Sequence, residues 1–395
     1  VNNPSMVINQ YAAVSAYQPC NNALTVDTAS FFQPGDTVLL VQMKGAAIDS
    51  SNTAVFGNIS NYQNCGNYEI NVVQSVSGNI VSLKNNLTRT YDFANGKVQL
   101  VTVPTFANYT TNIPHTGMPW NGTKGGVFII NVTGTLTMNA SIDVSGRGFR
   151  GGATNTINSN VALCNNYQYF DPPNIDQSAA KGEGIADISV AKSYARGKLA
   201  NGGGGGNGHN GGGGGGSNAA NGGIGGNQHN GCNPSPVPND VGGIGGLALT
   251  YNNTVNKIFL GGGGGAGHSN NHSPTFPASN LTTSDGAPGG GLVIVLAGNL
   301  VSTSGDSILS NGGNGYTCNN TGAYGICHDG MGGGGAGGTV LLSTASVSGN
   351  LAVSCKGGNG GNMSASTGLG QLGPGGGGSG GAFWYSGASI PAGIS

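Results

Sequence analysis

The residues predict a mainly β fold in two modules: a β-barrel or sandwich over 1–120, then β-hairpin layers packed with a bundle of polyglycine II helices over 121–395. Three observations carry this expectation. Only 7 of the 79 glycines lie before residue 121. Five runs of four to six consecutive glycines follow, at Gly202–Gly206, Gly211–Gly216, Gly261–Gly265, Gly332–Gly335 and Gly375–Gly378. Short apolar stretches separate them, unlike the Ser-rich filler of a flexible linker.

A bare glycine run loses more backbone entropy on ordering than any other sequence. The ordered state open to it is a left-handed threefold helix with about 3.1 Å rise and no internal hydrogen bonds. Once buried, its N–H and C=O groups must be met by neighbours. Bundled tracts satisfy one another only if nothing larger than hydrogen stands between them, so glycine becomes a packing requirement. A period of three agrees: Gly222–Asn227, Gly242–Leu247 and Gly357–Asn362 all read G-G-x-G-G-x. Each x falls on one edge of the helix, so Ile224 or Ile244 can face a core. Short tracts without a proline-rich G-X-Y repeat exclude collagen.

In the first module, strands are expected at Thr37–Met43, Tyr68–Val73, Asn79–Leu83 and Lys97–Val103, with turns at Pro34–Asp36 and Ser77–Asn79. The second module repeats internally at about 125–152, 245–265, 290–313 and 337–361. Each unit reads glycine tract, strand, turn, strand, glycine tract, and is expected to fold as a hairpin with alternate Val, Ile and Leu buried. The copy at 245–265 is clipped. Ser178–Arg196 reads as a helical insertion or lid and holds Lys181, Glu183, Asp187, Lys192 and Arg196. Phe383-Trp384-Tyr385 is expected to continue a strand or plug a neighbouring chain.

Charged residues make up 7% of the chain, against about 25% in an average soluble protein. The net charge of −1 leaves no basic stripe, which argues against a nucleic-acid partner. The longest apolar run, Leu292–Ala297, is far short of the roughly 20 residues of a membrane span, so no transmembrane segment is expected. None of the seven cysteines is spaced C-x-x-C as a zinc or redox site would be. Disulfides are expected instead, Cys20–Cys65 and Cys318–Cys327 among them, in an oxidising compartment, and the odd count forces one cysteine to stay free or pair between chains.

Five of the six histidines sit near glycine tracts. His209, His229 and His268 are weak candidates for a metal site, since imidazoles gathered at tract ends can reach one ion. The preferred reading is that they cap carbonyls at the tract ends, as Asn201, Asn207, Asn210 and Asn221 would. The only glutamates are Glu69 and Glu183, neither in a catalytic pairing, so no catalytic residue, no cofactor and no enzymatic activity is expected. Recognition would fall to aromatic residues on loops: Tyr167, Tyr169, Phe170, Tyr316 and Tyr324. Packing over the bundle is the competing role for these rings.

Gly35–Ala46, Gly66–Glu69, Lys97–Pro104, Gly122–Gly126, Asp143–Gly152 and Lys181–Ala186 together resemble the opening module of large glycine-rich surface proteins exported by the type IX system of gliding, Bacteroidetes-like bacteria. The glycine-rich part is similar in architecture to polyglycine II adhesins. This resemblance implies an extracellular or cell-surface protein, and O-glycosylation at Asp-Ser/Thr sites, for which Thr28, Thr37 and Ser307 are candidates. The expected function is structural: a self-assembling filament or sheath subunit with an adhesive role, whose partners are itself and other surface components. The alternative is a monomeric adhesin that binds glycans through its aromatic loops. A carbohydrate-active enzyme and an ice-binding protein are more distant readings.

Overall fold

A computed structural model describes residues 5–155, 164, 168–173, 177–229, 232, 241–251, 256–270, 284–303, 305–319, 329–364 and 372–395. The fold is mainly β. Among the described residues there is no α-helix, and so none long and apolar enough to cross a membrane.

The first strands are β1 (Met6–Val7), β2 (Tyr11–Gln18), β3 (Ala23–Val26), β4 (Thr37–Lys44), β5 (Ala47–Ile48), β6 (Ile59–Asn61), β7 (Tyr68–Ser77), β8 (Ile80–Leu83), β9 (Lys97–Thr102), β10 (Thr105–Phe106), β11 (Tyr109–Thr111) and β12 (His115–Thr116). Strands β2-β3-β8-β7-β4-β9 close an antiparallel barrel. Alternation along the strands fills it: Val38 and Leu40 point inward with Leu24, Phe32, Val81 and Leu100. Leu39 and Val41 point outward, yet they too are fully buried. They pack against Val127, Ile129, Phe259 and Ile294 of the second module in one continuous core.

The remaining strands are β13 (Val127–Met138), β14 (Ile142–Asp143), β15 (Leu292–Ser302), β16 (Ser307–Leu309), β17 (Cys318–Asn319), β18 (Thr339–Gly349), β19 (Ala352–Ser354), β20 (Met363–Ser364) and β21 (Ala382–Tyr385). The expected hairpins do not form. The two strands of each repeat enter different sheets, β10-β13-β15-β18-β21 and β1-β12-β14-β16-β19, and every pairing within both sheets is parallel. The reason is the repeat itself, because like residues stack in register. Phe128, Val293, Val340 and Phe383 form one ladder, and Ile142, Ile308 and Val353 another. Both ladders bury into the core between the two sheets. The clipped copy at 245–265 adds no strand among its described residues; Leu249, Ile258, Phe259 and Leu260 instead wedge into the core facing the barrel.

Glycine tracts connect these rungs and bond to one another sideways. In the segment 261–268, Gly261, Gly264 and Gly267 donate to Gly290, Ala287 and Ser284. Gly262, Gly265 and His268 donate to Ser217, Gly214 and Gly211, while Gly263 and Ala266 donate to Glu183 and Ala180. The carbonyls follow the same period of three: those of Gly262 and Gly265 accept from Ala336 and Gly333, those of Gly263 and Ala266 from Gly203 and Gly206, and those of Gly261 and Gly264 from Phe149 and Gly152. One segment thus bonds to six others. No space remains for a side chain; a Cβ on Gly213, Gly264 or Gly333 would lie 2.0–2.1 Å from a carbonyl oxygen of the next tract.

Three further expectations change. Ser178–Arg196 is not helical beyond a short 3-10 turn at Val190–Lys192. Its backbone serves the lattice: Ala179 and Gly182 donate to Gly206 and Gly203, and Ala180 accepts from Ala266. A helix would keep those donors to itself and orphan the tract carbonyls. Ile224 does not face a core but is 57% exposed, because its tract lies on the outer face of the lattice. Cys20 and Cys65 are not bonded: Cys20 is exposed in the turn after β2, whereas Cys65 is buried with its thiol 3.1 Å from the Met43 carbonyl. Among the described residues the bond that forms joins Cys164 to Cys232. Cys327 and the side chain of Cys318 lie outside the described residues.

Candidate functional site

Where the barrel meets the edge of the larger parallel sheet, the surface opens into a cavity of about 410 Å³. Outward-facing Leu39, Tyr68 and Ile70 of β4 and β7 form one wall. The other is the face of the sheet opposite the Phe128 ladder, with Ile294, Leu296, Leu341 and Trp384, and Tyr385 lines the cavity from the end of β21. Alternation explains both walls, since each strand already commits its other face to a core.

The cavity is mostly apolar with a few polar groups placed by bonding. The Tyr68 hydroxyl donates to Asn256 Oδ1 at 2.8 Å, and the Arg89 guanidinium stands 5.1 Å from the Tyr68 ring centre. Burial pushes the Tyr68 pKa up, so its hydroxyl stays protonated. Lys257 is held by the carbonyls of Gln63 and Cys65 and by Asn67 Oδ1, at 2.6–3.0 Å, and burial lowers its pKa. Trp384 packs 5.8 Å from the Tyr251 ring, and its buried Nε1–H has no acceptor among the described residues. A cavity of this size with aromatic walls suits a small ligand with an apolar face. None of its lining residues is acidic.

Of the aromatic residues singled out from the sequence, Tyr169 and Phe170 are half-buried. Phe170 packs 5.6 Å from Phe56 with the Lys192 ammonium 4.6 Å from its ring centre, and the Arg196 guanidinium sits 5.4 Å from that of Tyr169. Tyr316 is 51% exposed on the outer face of the lattice. Tyr167 and Tyr324 lie outside the described residues. Sequence reasoning missed Tyr68 and Trp384 as a pair because they meet only through the docking of barrel on sheet.

The candidate glycosylation residues are half-buried: Thr28 lies between β3 and β4, Thr37 opens β4, and Ser307 lies in β16 with its Oγ 3.0 Å from Ser141 Oγ. Glu183 forms a bidentate ion pair with Arg150, at 2.6 and 2.9 Å, and its pKa falls despite burial because that guanidinium and Lys44 favour the charge. Asn201, expected as a cap, accepts from Ile185 N–H and donates to Ser217 O and Leu260 O.

The three histidines lie at one end of the lattice. His209 occupies the turn 208–210 between tracts 202–206 and 211–216, and its ring centre is 5.0 Å from that of His229. His268 Nδ1 accepts from Asn210 N–H at 3.1 Å. Burial, reinforced by His229 and His268, lowers the His209 pKa and keeps its imidazole neutral. Cys232 Sγ lies 3.8 Å from His209 Nδ1.

Compared with protein-family models, curated proteins and solved structures, the chain matches none.

Proposed function

We propose that this is an extracellular structural protein, a self-assembling filament or sheath subunit with an adhesive role, built on a bundle of polyglycine II helices. The carrying observation is the open end of the repeat stack. Strand β21 covers only Thr339–Leu342 of β18, and residues 345, 346 and 348–350 beyond it are exposed. The tract that leads into β21 is also outermost. Its buried positions Gly373, Gly376 and Ser379 alternate with exposed Pro374, Gly377 and Gly380 at a period of three. A tract and strand from a second copy would therefore extend the lattice and the sheet as one layer. Open strand edges are a recognised route to such association. Low charge and the resemblance to type IX-exported surface proteins support the same reading.

Negative-stain electron microscopy of the native protein over a range of concentrations tests it. Regular filaments or sheets support the proposal, and discrete particles at every concentration refute it.

A second reading, an adhesin that binds surface glycans, is favoured by the cavity between Tyr68 and Trp384. Sugar rings stack on aromatic faces, and Tyr68 and Trp384 both line the cavity. Saccharide titrations followed by tryptophan fluorescence would show saturable changes that Trp384→Ala abolishes. Identical responses in the two proteins would dismiss the cavity as a glycan site.

A further inference from the structure

The turn that joins two central glycine tracts is held by a compact set of sulfur and nitrogen ligands. The ligand atoms of Cys164, His209 and Cys232 all lie within 4.8 Å of one another. Backbone bonds fix their approach: His229 N–H donates to His209 O at 2.7 Å, and Cys232 N–H donates to His229 O at 3.0 Å. Gln228 ties the remaining corner, with its Nε2 donating to Cys164 O at 3.0 Å and its Oε1 accepting from His209 N–H at 3.3 Å. The turn itself is conformationally set, with Gly208 and Asn210 at φ of 66° and 65°.

We propose that Cys164, Cys232 and His209, with His229 as the fourth ligand, form a site for one divalent cation of the zinc class, occupied when the two cysteines are dithiol and closed when they are disulfide. Tetrahedral zinc with metal–sulfur bonds of about 2.3 Å and metal–nitrogen bonds of about 2.0 Å sets ligand atoms roughly 3.3–3.8 Å apart. Cys232 Sγ and His209 Nδ1 already stand at 3.8 Å. The sulfurs must separate, which reduction allows, and the imidazole of His229, its ring centre 5.0 Å from that of His209, must turn toward them to supply the fourth ligand.

The chemistry balances. A small-molecule thiol reductant supplies two electrons and two protons to the Cys164–Cys232 bond, giving two protein thiols and leaving the reductant as its own disulfide. Metal binding then releases the two thiol protons to solvent, and two thiolates with two neutral imidazoles give a site with no net charge. Disulfide and metal are thus alternative clips on one turn: the first suits an oxidising exterior, the second a reducing interior before export. The sequence hides the site because its cysteines are 68 residues apart.

Cobalt(II) is the probe, added to the whole chain in its reduced and air-oxidised forms, with circular dichroism confirming that both are folded. The reduced protein should take up one Co²⁺ per chain with thiolate-to-cobalt charge-transfer absorption, displaced by zinc, and the oxidised protein should not. His209→Ala should weaken binding at least tenfold, Cys164→Ser with Cys232→Ser should abolish the absorption, and Cys20→Ser should change nothing. Reduced protein without the absorption overturns the proposal, as does equal uptake by the oxidised form. Unchanged affinity in His209→Ala would also overturn it, by showing that loose thiols rather than the assembled site bind the ion.

Discussion

Adding one methyl group to the centre of the lattice should destabilise it, while adding the same group at its rim should not. In Gly264→Ala the new Cβ would lie 2.1 Å from Gly333 O and 2.5 Å from Gly333 C, where an ordinary contact needs well over 3 Å. Neither tract can yield alone, because Gly264 N–H bonds to Ala287 O, Gly264 O accepts from Gly152, and Gly333 N–H bonds to Gly265 O, all at 2.9 Å. Overpacking costs about 1–3 kcal/mol, and each buried hydrogen bond left unmade costs about 1–3 kcal/mol more. A loss of about 4 kcal/mol follows if one or two bonds break. Unfolding entropy of about 2.1 cal/mol/K per residue gives roughly 0.8 kcal/mol/K for the chain, so Tm should fall by about 5 °C. At Gly377 the nearest heavy atom to an added methyl is 3.8 Å away and the backbone does not need a positive φ. Alanine there restricts only the unfolded chain and should stabilise by about 0.4–1 kcal/mol. Thermal denaturation of the two variants side by side is the assay. If Gly264→Ala melts within a degree of Gly377→Ala, the lattice does not exclude side chains as argued.

The other predictions concern single groups. His115 is buried with its Nδ1–H donating to Ile113 O at 2.7 Å and its Nε2 accepting from Tyr109 OH at 2.8 Å; burial lowers its pKa, so the folded protein resists the proton that the unfolded chain takes up near pH 6.5. Stability should therefore fall as pH drops below about 6.5, by at most about 1.4 kcal/mol per pH unit for this group. His115→Gln should show a shallower decline in Tm from pH 7.5 to 5.5, and parallel declines would refute the assignment. Gln99 exchanges two hydrogen bonds with Gly125, at 2.8 and 2.9 Å, where barrel meets sheet; Gln99→Leu leaves both backbone groups buried and unmet and should cost about 2–4 kcal/mol in urea denaturation. Non-reducing peptide mapping should recover Cys164 linked to Cys232, and Cys164→Ser with Cys232→Ser should cost on the order of 4 kcal/mol from loop closure alone, measured under oxidising conditions.

The mainly β character was legible in the sequence because short apolar runs rich in Val, Ile and Leu, such as Thr37–Lys44 or Val127–Val132, are a local signal. Partner choice was not. Val127 could pair with a strand of its own repeat or with Leu292 far along the chain, and the local pattern is the same in both cases. The period of three in the tracts was likewise visible, but not which edge faces outward. Ile224 is exposed because its tract happens to be peripheral, a fact set by the bonding of Gly223 and Gly226 to Gly377 and Pro374. Among the histidines, residue type and position near tract ends pointed to one place, and the structure does bring His209 beside His229. The cysteines completing that cluster were invisible, since Cys164 reaches it only through the fold. Tyr68 and Trp384 share the same difficulty: each reads as an ordinary strand residue until the barrel docks.

The scarcity of charge follows from how the chain satisfies its polar groups. In the lattice the backbone itself is the packing surface, so the segment 261–268 needs no side chains to meet its donors and acceptors. At the outer turns of the rungs, short amides and hydroxyls continue the same bonding: Asn311 Oδ1 accepts from Lys356 N–H and Ser354 Oγ, Asn314 Oδ1 from Asn359 N–H, and Asn299 Oδ1 from Ser346 Oγ. Each of these bonds runs from one rung to the next, so a long charged side chain there would lose the register without gaining a partner. Ion pairs concentrate instead where no repeat is available to stack, as the irregular stretch 183–187 passes the barrel and Lys44 meets Asp187 at 2.7 Å. Asparagine and serine at the rung turns are thus part of the stacking code. Replacing Asn311 with Asp would leave a carboxylate able to accept the same bonds but bring Lys356 closer by charge, whereas Lys at 311 would set two ammonium groups on adjacent rungs and push them apart.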